Sequence, residues 1–415
     1  MSESTNKPSK PTKRVDRALW AIFLLAVTVR LVYVLAFAPE GVHGPDAPLY
    51  DRIAWRLITE GRYAAEDHLG RMSQASRPVL FPVVLGGLYA IFGHGVVAPQ
   101  VFQCLLGALT CGVIYSLGRE VFDRRAGILA GIGAAIFPQL IYYCGALTTE
   151  ILHIFLLTCA IFMLFVAYKR RAGLGWWFAG GATLGLAALA RSAMLGLLPV
   201  VGLWMIIVTR NKRSAVVRFA FVVIGAAAAM SPWIIRNYTV FGKFVPATTE
   251  GGYTFWVTNN PNATGGGKCF LPDDTTPFER LNELEANRLF YKMGYDFIRG
   301  NPGRAAELVV AKFTRFWRLW PHVEEVGAAN AIIGGVSFVP VVALAIAAAV
   351  MAWHRRRDLL LFYCLIAYAT ILYSVYMAVT RYRAPLMPVL LVMAGSAAAR
   401  ILERLVGLPN EGTSE

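Results

Sequence analysis

The feature that most constrains this chain is a series of long apolar runs separated by short clusters of basic residues. A run of about 20 apolar residues crosses the hydrocarbon core of a bilayer as a helix. Only 16% of the 415 residues are charged and 57% are hydrophobic, against roughly a quarter charged in soluble domains. The chain therefore reads as an all-α integral membrane protein. The formal net charge of +15 follows from basic residues gathered at cytoplasmic helix ends. Nucleic-acid binding is not expected, because no compact basic domain accompanies the charge.

Basic clusters set the threading. They lie in the N-terminal tail (Lys7 to Arg17), at Arg119/Arg124/Arg125, Lys169/Arg170/Arg171, Arg210/Lys212/Arg213/Arg218, Arg355/Arg356/Arg357 and Arg400/Arg404. Keeping all of them on one side predicts about ten spans, near 18–38, 97–118, 126–143, 151–168, 175–190, 193–209, 217–234, 331–353, 359–379 and 385–402. Residues 1–17 and 403–415 are then cytoplasmic tails. Residues 18–234 form a transmembrane module with a first outer loop at 39–96, residues 235–330 a large outer loop, and residues 331–402 the last helices. Ala36-Phe37-Ala38 resembles a cleavage box, but the run from Ala18 is long enough to span and Pro39 would follow the cut. We expect an uncleaved first helix. The stretch Val79 to Phe92 is roughly 14 residues, and an interfacial helix there preserves the charge rule. Pro277 to Arg299 carries apolar residues at helical spacing, and Asn301 to Trp320 alternates apolar and basic residues. Both predict amphipathic helices. The six cysteines show no metal-binding spacing; five read as core residues and Cys269 sits in a polar loop.

Ionisable groups beside hydrocarbon are costly and are kept for function, so those at the outer face carry the chemistry. Asp46, in His43-Gly-Pro-Asp46-Ala-Pro-Leu-Tyr50, suits a general base toward an acceptor hydroxyl or a ligand of a divalent cation; a helix N-cap is the structural alternative. Glu150, in Leu147-Thr-Thr-Glu150, falls on the same face, where a helix-start role competes. His153 makes a weak metal-like pair with it. Arg77, Arg191, Arg236, Lys243, Arg381 and Arg383 also fall outside, against the charge rule. Arginines there bind a phosphate oxyanion bidentately or anchor helix ends. Thr249 to Gly267 combines glycines, aromatics and the amides Asn259 and Asn260, a composition suited to a sugar or to a surface turn.

Several of these motifs, taken in order, resemble those of glycosyltransferase family 39-like membrane proteins. They are Pro45-Asp46-x-x-x-Tyr50, Arg77-Pro78-x-x-x-Pro82, Gly118-Arg-x-x-Phe122, Leu147-Thr-Thr-Glu150, Pro232-Trp-x-x-Arg236-Asn237-Tyr, Asn259-Asn260-Pro and Arg381-Tyr382-Arg383-x-Pro385. Relatives include the protein O-mannosyltransferases and lipid A aminoarabinose transferases. The resemblance runs from about residue 20 to 400 and implies the C-type glycosyltransferase fold with a juxtamembrane helical first loop. It implies a polyprenyl-phosphate monosaccharide donor, a cell-envelope acceptor (lipid, glycan or protein) and an inner-membrane enzyme working at its periplasmic face. Asp46 and Glu150 match the acidic positions, catalytic or metal-linked through a divalent cation. Arg381, Arg383, Arg77 and Arg191 are expected on the donor phosphate. His43, Tyr50, Arg236, Asn259, Asn260 and Tyr382 are expected on substrate. Many relatives carry Asp-Glu at the first motif, where Ala47 follows Asp46 here. The competing class is a transporter or flippase of a polyprenyl-linked sugar, whose path would need mid-span charges and inverted repeats. The spans read as almost free of the former, and no repeat appears.

Overall fold

A computed structural model of the protein describes residues 16–406 apart from 40, 45, 68, 267–270, 273 and 279. The basic tail before Asp16, the end of the glycine run at Gly267, and Cys269 lie outside the described residues. The helices, in chain order, are α1 (Arg17–Ala36), α2 (Ala47–Glu60), α3 (Leu80–Phe92), α4 (Val97–Val121), α5 (Arg124–Ile136), α6 (Pro138–Gly145), α7 (Glu150–Lys169), α8 (Leu174–Ala190) and α9 (Leu197–Val208). There follow α10 (Lys212–Phe241), α11 (Gly251–Val257), α12 (Glu283–Gly300), α13 (Pro302–Phe316), α14 (Val323–Val326), α15 (Ala328–Met351), α16 (Leu360–Val375) and α17 (Met387–Val406).

Six of these stretches are long and apolar enough to cross a membrane: α1, α4, α7, α10, α15 and the run Thr380–Val406 that contains α17. A seventh is the bent pair α5–α6. The three remaining expected spans coincide with shorter apolar helices, at Leu174–Ala190, Ser192–Val208 and Leu360–Val375. The chain is thus a multi-pass membrane protein. Helix α3, at 13 residues, is about 20 Å long, short of the roughly 30 Å hydrocarbon core. It packs on α2.

Without a hydrophobic drive between helices in lipid, close backbone approach and hydrogen bonds hold the bundle together. Helices α8 and α10 meet through glycines. A Cβ at Gly181 would stand 2.0 Å from the Val222 carbonyl oxygen, and one at Gly225 2.2 Å from that of Phe178. Pro232 interrupts the ladder of α10, and the Ser231 hydroxyl donates to the Ala228 carbonyl that loses its partner (2.9 Å).

The first span is not charge-free, which corrects the reading of nearly uncharged spans. Arg30 is fully buried in α1. Its guanidinium donates to the carbonyls of Ala135 (3.0 Å) and Ala134 (3.1 Å). The reason is the break between α5 and α6, bent by 46°, where Pro138 has no N–H to offer the preceding turn. Arg30 supplies the missing donors. Replacing it with Leu is expected to cost about 3 kcal/mol, since two buried carbonyls lose their partners at roughly 1–3 kcal/mol each. The check is the unfolding midpoint of Arg30→Leu in detergent; a midpoint equal to wild type would remove Arg30 from this role.

The loop between α1 and α3 and the long segment between α10 and α15 are tied to one another. A short hairpin pairs Ala65–Glu66 with Met72–Ser73. Within it Asp67 holds Arg71 (2.7 Å), which donates to the carbonyls of Phe278 (3.1 Å) and Leu281 (3.0 Å) in the large loop. Glu283 accepts from the Ser73 hydroxyl (2.6 Å), the backbone N–H groups of Gln74 (2.8 Å) and Ala75 (3.0 Å), and the Thr249 hydroxyl. Helix α12 opens with a capping box of Asn282 and Glu285, and α13 follows it. Both expected amphipathic helices are therefore present; α12 starts at Glu283 rather than Pro277, and α13 starts at Pro302 and ends at Phe316, short of Trp320.

Candidate active site

Asp46 stands at the start of α2, but its side chain makes no capping hydrogen bond there. Pro48, the second residue of the helix, has no N–H to give a cap, and the carboxylate turns to the arginines instead. It meets Arg381 at 2.8 Å and Arg77 at 3.7 Å. The N-cap alternative is not realised. Glu150 opens α7 and is almost fully buried. It lies 3.8 Å from Arg191 and 3.9 Å from Arg381. Arg381 therefore bridges the two carboxylates that the sequence placed on one face. A third carboxylate, Glu250, binds Arg77 at 2.8 Å.

These groups line one cavity of about 430 Å³. The tie between the two loops brings Arg77 and Glu250 to its wall, because the Thr249 N–H also donates to the Ala75 carbonyl (2.9 Å). Tyr382 organises the arginines: its ring lies 4.1 Å from the Arg191 guanidinium and 5.2 Å from that of Arg381. The Tyr373 ring packs on Tyr382 with centroids 5.0 Å apart. One terminal nitrogen of Arg191 is buried without a hydrogen bond. Burial opposes the charge on Asp46, but Arg381 and Arg77 outweigh it and hold the carboxyl below the usual carboxylate range. Burial pushes the Tyr50 hydroxyl up, so this wall residue is a neutral donor at physiological pH.

Of the other residues singled out in the sequence, several face elsewhere. Arg383 borders a different cavity. Arg236 donates to the carbonyls of Gln74 (2.8 Å) and Tyr63 (3.3 Å) and lies over Trp233. Asn259 and Asn260 are buried and bond backbone carbonyls of the preceding helix α11, at Phe255 (2.8 Å) and Trp256 (3.0 Å). The His43 carbonyl accepts from the Leu147 N–H (3.2 Å), which sets it on the loop before α7. His153 faces the Ala187 carbonyl at 3.3 Å. Among the described residues no group of three or more His, Cys, Asp or Glu side chains is placed to hold a metal ion. Asp46 and Glu150 instead share an arginine.

Sequence reasoning missed Glu250, Glu283 and Lys312. A lone Glu before Gly-Gly signals a turn, and nothing local names a partner 173 positions away. Lys312 is fully buried. It donates to Asn259 Oδ1 and the Val375 carbonyl (both 2.9 Å), joining α13 and the segment after α11 to the end of α16. Burial lowers its pKa to about 8. Between pH 8 and its unfolded value near 10.5, the unfolded chain binds the extra proton, so this group makes stability rise with pH. Unfolding midpoints compared at pH 7.5 and 9.5 should favour wild type over Lys312→Met more at the higher pH; parallel curves would contradict this.

The fold is the C-type glycosyltransferase fold. It is shared with the solved ArnT of Cupriavidus metallidurans bound to undecaprenyl phosphate (TM-score 0.63, 18% identity, 94% of this chain and 62% of that one). It is shared also with the apo oligosaccharyltransferase of Archaeoglobus fulgidus (TM-score 0.61, 16% identity, 95% of this chain and 52% of that one). Residues 76–235 match the family model of dolichyl-phosphate-mannose-protein mannosyltransferases, which bears out the resemblance carried by the motifs. The chain is 24% identical over 225 residues to an undecaprenyl phosphate-alpha-4-amino-4-deoxy-L-arabinose arabinosyl transferase of Pseudomonas fluorescens. That match covers 53% of this chain and 41% of the relative. The chain thus spans less than two thirds of the length of each of these relatives.

Proposed function

We propose that the protein is a membrane glycosyltransferase that moves a monosaccharide, a hexose or pentose, from a polyprenyl-phosphate donor to a cell-envelope acceptor. On this reading it lies in the inner membrane, with both termini cytoplasmic and the cavity open to the periplasm. The observation that carries it is the interleaving of Arg77, Arg191 and Arg381 with Asp46, Glu150 and Glu250 in one cavity at the ends of apolar helices.

The charges suggest an order of events. In the free enzyme Arg381 is taken up by Asp46 and Glu150, which leaves Asp46 ionised and weakly basic. A donor phosphodiester competes for Arg381 and Arg191, two guanidiniums that Tyr382 holds in register. Asp46 thereby loses its strongest counter-charge and gains basicity. The acceptor hydroxyl or amine then attacks the anomeric carbon from the face opposite the phosphate, with inversion. A carbon–oxygen or carbon–nitrogen bond forms, its proton passes to Asp46, and the bond to the phosphate oxygen breaks. The leaving polyprenyl phosphate gains a negative charge, which the preplaced arginines stabilise in the transition state. Glu150 holds Arg381 and Arg191 in place. A divalent cation would take Asp46 and Glu150 as its two protein carboxylates and polarise the acceptor; the shared arginine makes that arrangement depend on Arg381 moving away.

The test is transfer from a panel of radiolabelled polyprenyl-phosphate sugars by the full chain reconstituted with envelope extracts. Label in the acceptor fraction with stoichiometric release of polyprenyl phosphate is expected. Absence of transfer from every donor, with the protein folded, would reject the reading.

A further inference from the structure

Arg381 and Arg383 share one short helical turn, Thr380–Leu386, and are sent to opposite sides of it. Arg383 is only 2% exposed. One terminal nitrogen donates to the Arg318 carbonyl (2.5 Å) and the guanidinium lies 3.6 Å from the centre of the Phe338 ring. Its Nε is buried with no hydrogen-bond partner. Among the described residues no carboxylate lies within ion-pairing distance of it, unlike Arg77, Arg191 and Arg381. A buried cation without a counter-charge is costly, more so at membrane depth, and this one stands at the wall of a cavity.

Arg383 borders a second cavity, of about 250 Å³, between α6 and α15. Its walls include the aromatic and amide side chains of Tyr142, Tyr143, Phe338, Gln139 and Asn330. The mouth is marked by Ile333 and Tyr142, which are 49% and 42% exposed on membrane-spanning helices and therefore face lipid chains. We propose that this cavity binds a phosphate-bearing bilayer lipid. Its headgroup sits on Arg383, Gln139 and Asn330, and its acyl chain leaves past Tyr142 and Ile333. The anion is taken from the membrane rather than from water because the mouth is apolar and opens among side chains of the spans. The inference does not depend on the transferase reading, since lipid retention is measured without turnover.

Native mass spectrometry of the full chain in detergent, titrated with phosphatidylglycerol or with phosphate-free diacylglycerol, tests it. Wild type is expected to retain phosphatidylglycerol and not diacylglycerol, and Arg383→Gln to bind it about tenfold more weakly or less, the loss of one charge-assisted contact. Ser337→Trp fills the cavity while leaving Arg383 in place, so it decides the matter if Arg383→Gln does not fold; it too should lose the lipid. Equal retention by wild type and either folded variant would overturn the proposal. Displacement of the lipid by excess inorganic phosphate would also overturn it, by showing a site for free anions.

Discussion

Asp46→Asn is expected to lower sugar transfer by about a thousandfold, within the range of roughly 10²–10⁴ for loss of a positioned general base. The substitution keeps the shape and one acceptor oxygen, so binding of the polyprenyl-phosphate donor should persist. Measured transfer rates and donor affinities of the reconstituted variant make the check; full activity would remove Asp46 from the reaction. A second signature follows from the arginines around it. They hold the Asp46 carboxyl low in the free enzyme, so the carboxylate stays ionised well into the acid range and its contribution is lost only as pH falls through that depressed value. Once donor phosphate draws Arg381 away, the carboxyl moves back up. The acid limb of the rate at saturating donor should therefore lie at higher pH than the acid limb at limiting donor. Coincident limbs would mean that the donor does not compete for Arg381.

Arg381→Ala should have a comparable effect for a different reason. Arg381 meets Asp46 at 2.8 Å and Glu150 at 3.9 Å, so its loss leaves the buried Glu150 with Arg191 alone and removes a donor aimed at the leaving phosphate. Loss of one preplaced electrostatic donor costs about 10²–10³ in turnover. Arg381→Lys is expected to restore little, because an ammonium cannot present the planar fork that serves two carboxylates or a phosphate. The informative measurement is turnover beside donor affinity for Ala and Lys variants. Unchanged turnover with only weaker donor binding would assign Arg381 to ground-state recognition instead.

Much of the architecture was legible because membrane insertion is governed by local composition. The apolar runs located the helices: six of the ten expected spans fall on helices long and apolar enough to cross a membrane, a seventh on the bent pair α5–α6, and three on shorter apolar helices. The candidate site was only partly legible. Asp46 and Glu150 stood out because ionisable groups beside hydrocarbon run against hydropathy, and Arg77, Arg191 and Arg381 because they also run against the expected placement of basic residues; these five share one cavity. Position could not say that Arg383, two residues from Arg381, faces another cavity. That depends on the short turn that carries both. Nor could it say that Arg236, Asn259 and Asn260 hold backbone carbonyls. Polar side chains at loop–helix junctions look alike in sequence whether they bind ligand or chain.

Glu250, Glu283, Lys312 and Arg30 show the same limit from the other side. Their distant partners lie between 34 and 210 positions away, and pairing over such separations leaves no periodic trace. What the sequence determined by itself was the set of apolar helices and the acid and base residues beside them, because hydrophobic run length and charge placement are local properties. Only the tertiary structure decided which charges meet: it set Arg381 between Asp46 and Glu150, tied the two loops through Glu283, and turned Arg383 away. Ion pairing is settled by a few ångströms of packing among distant segments.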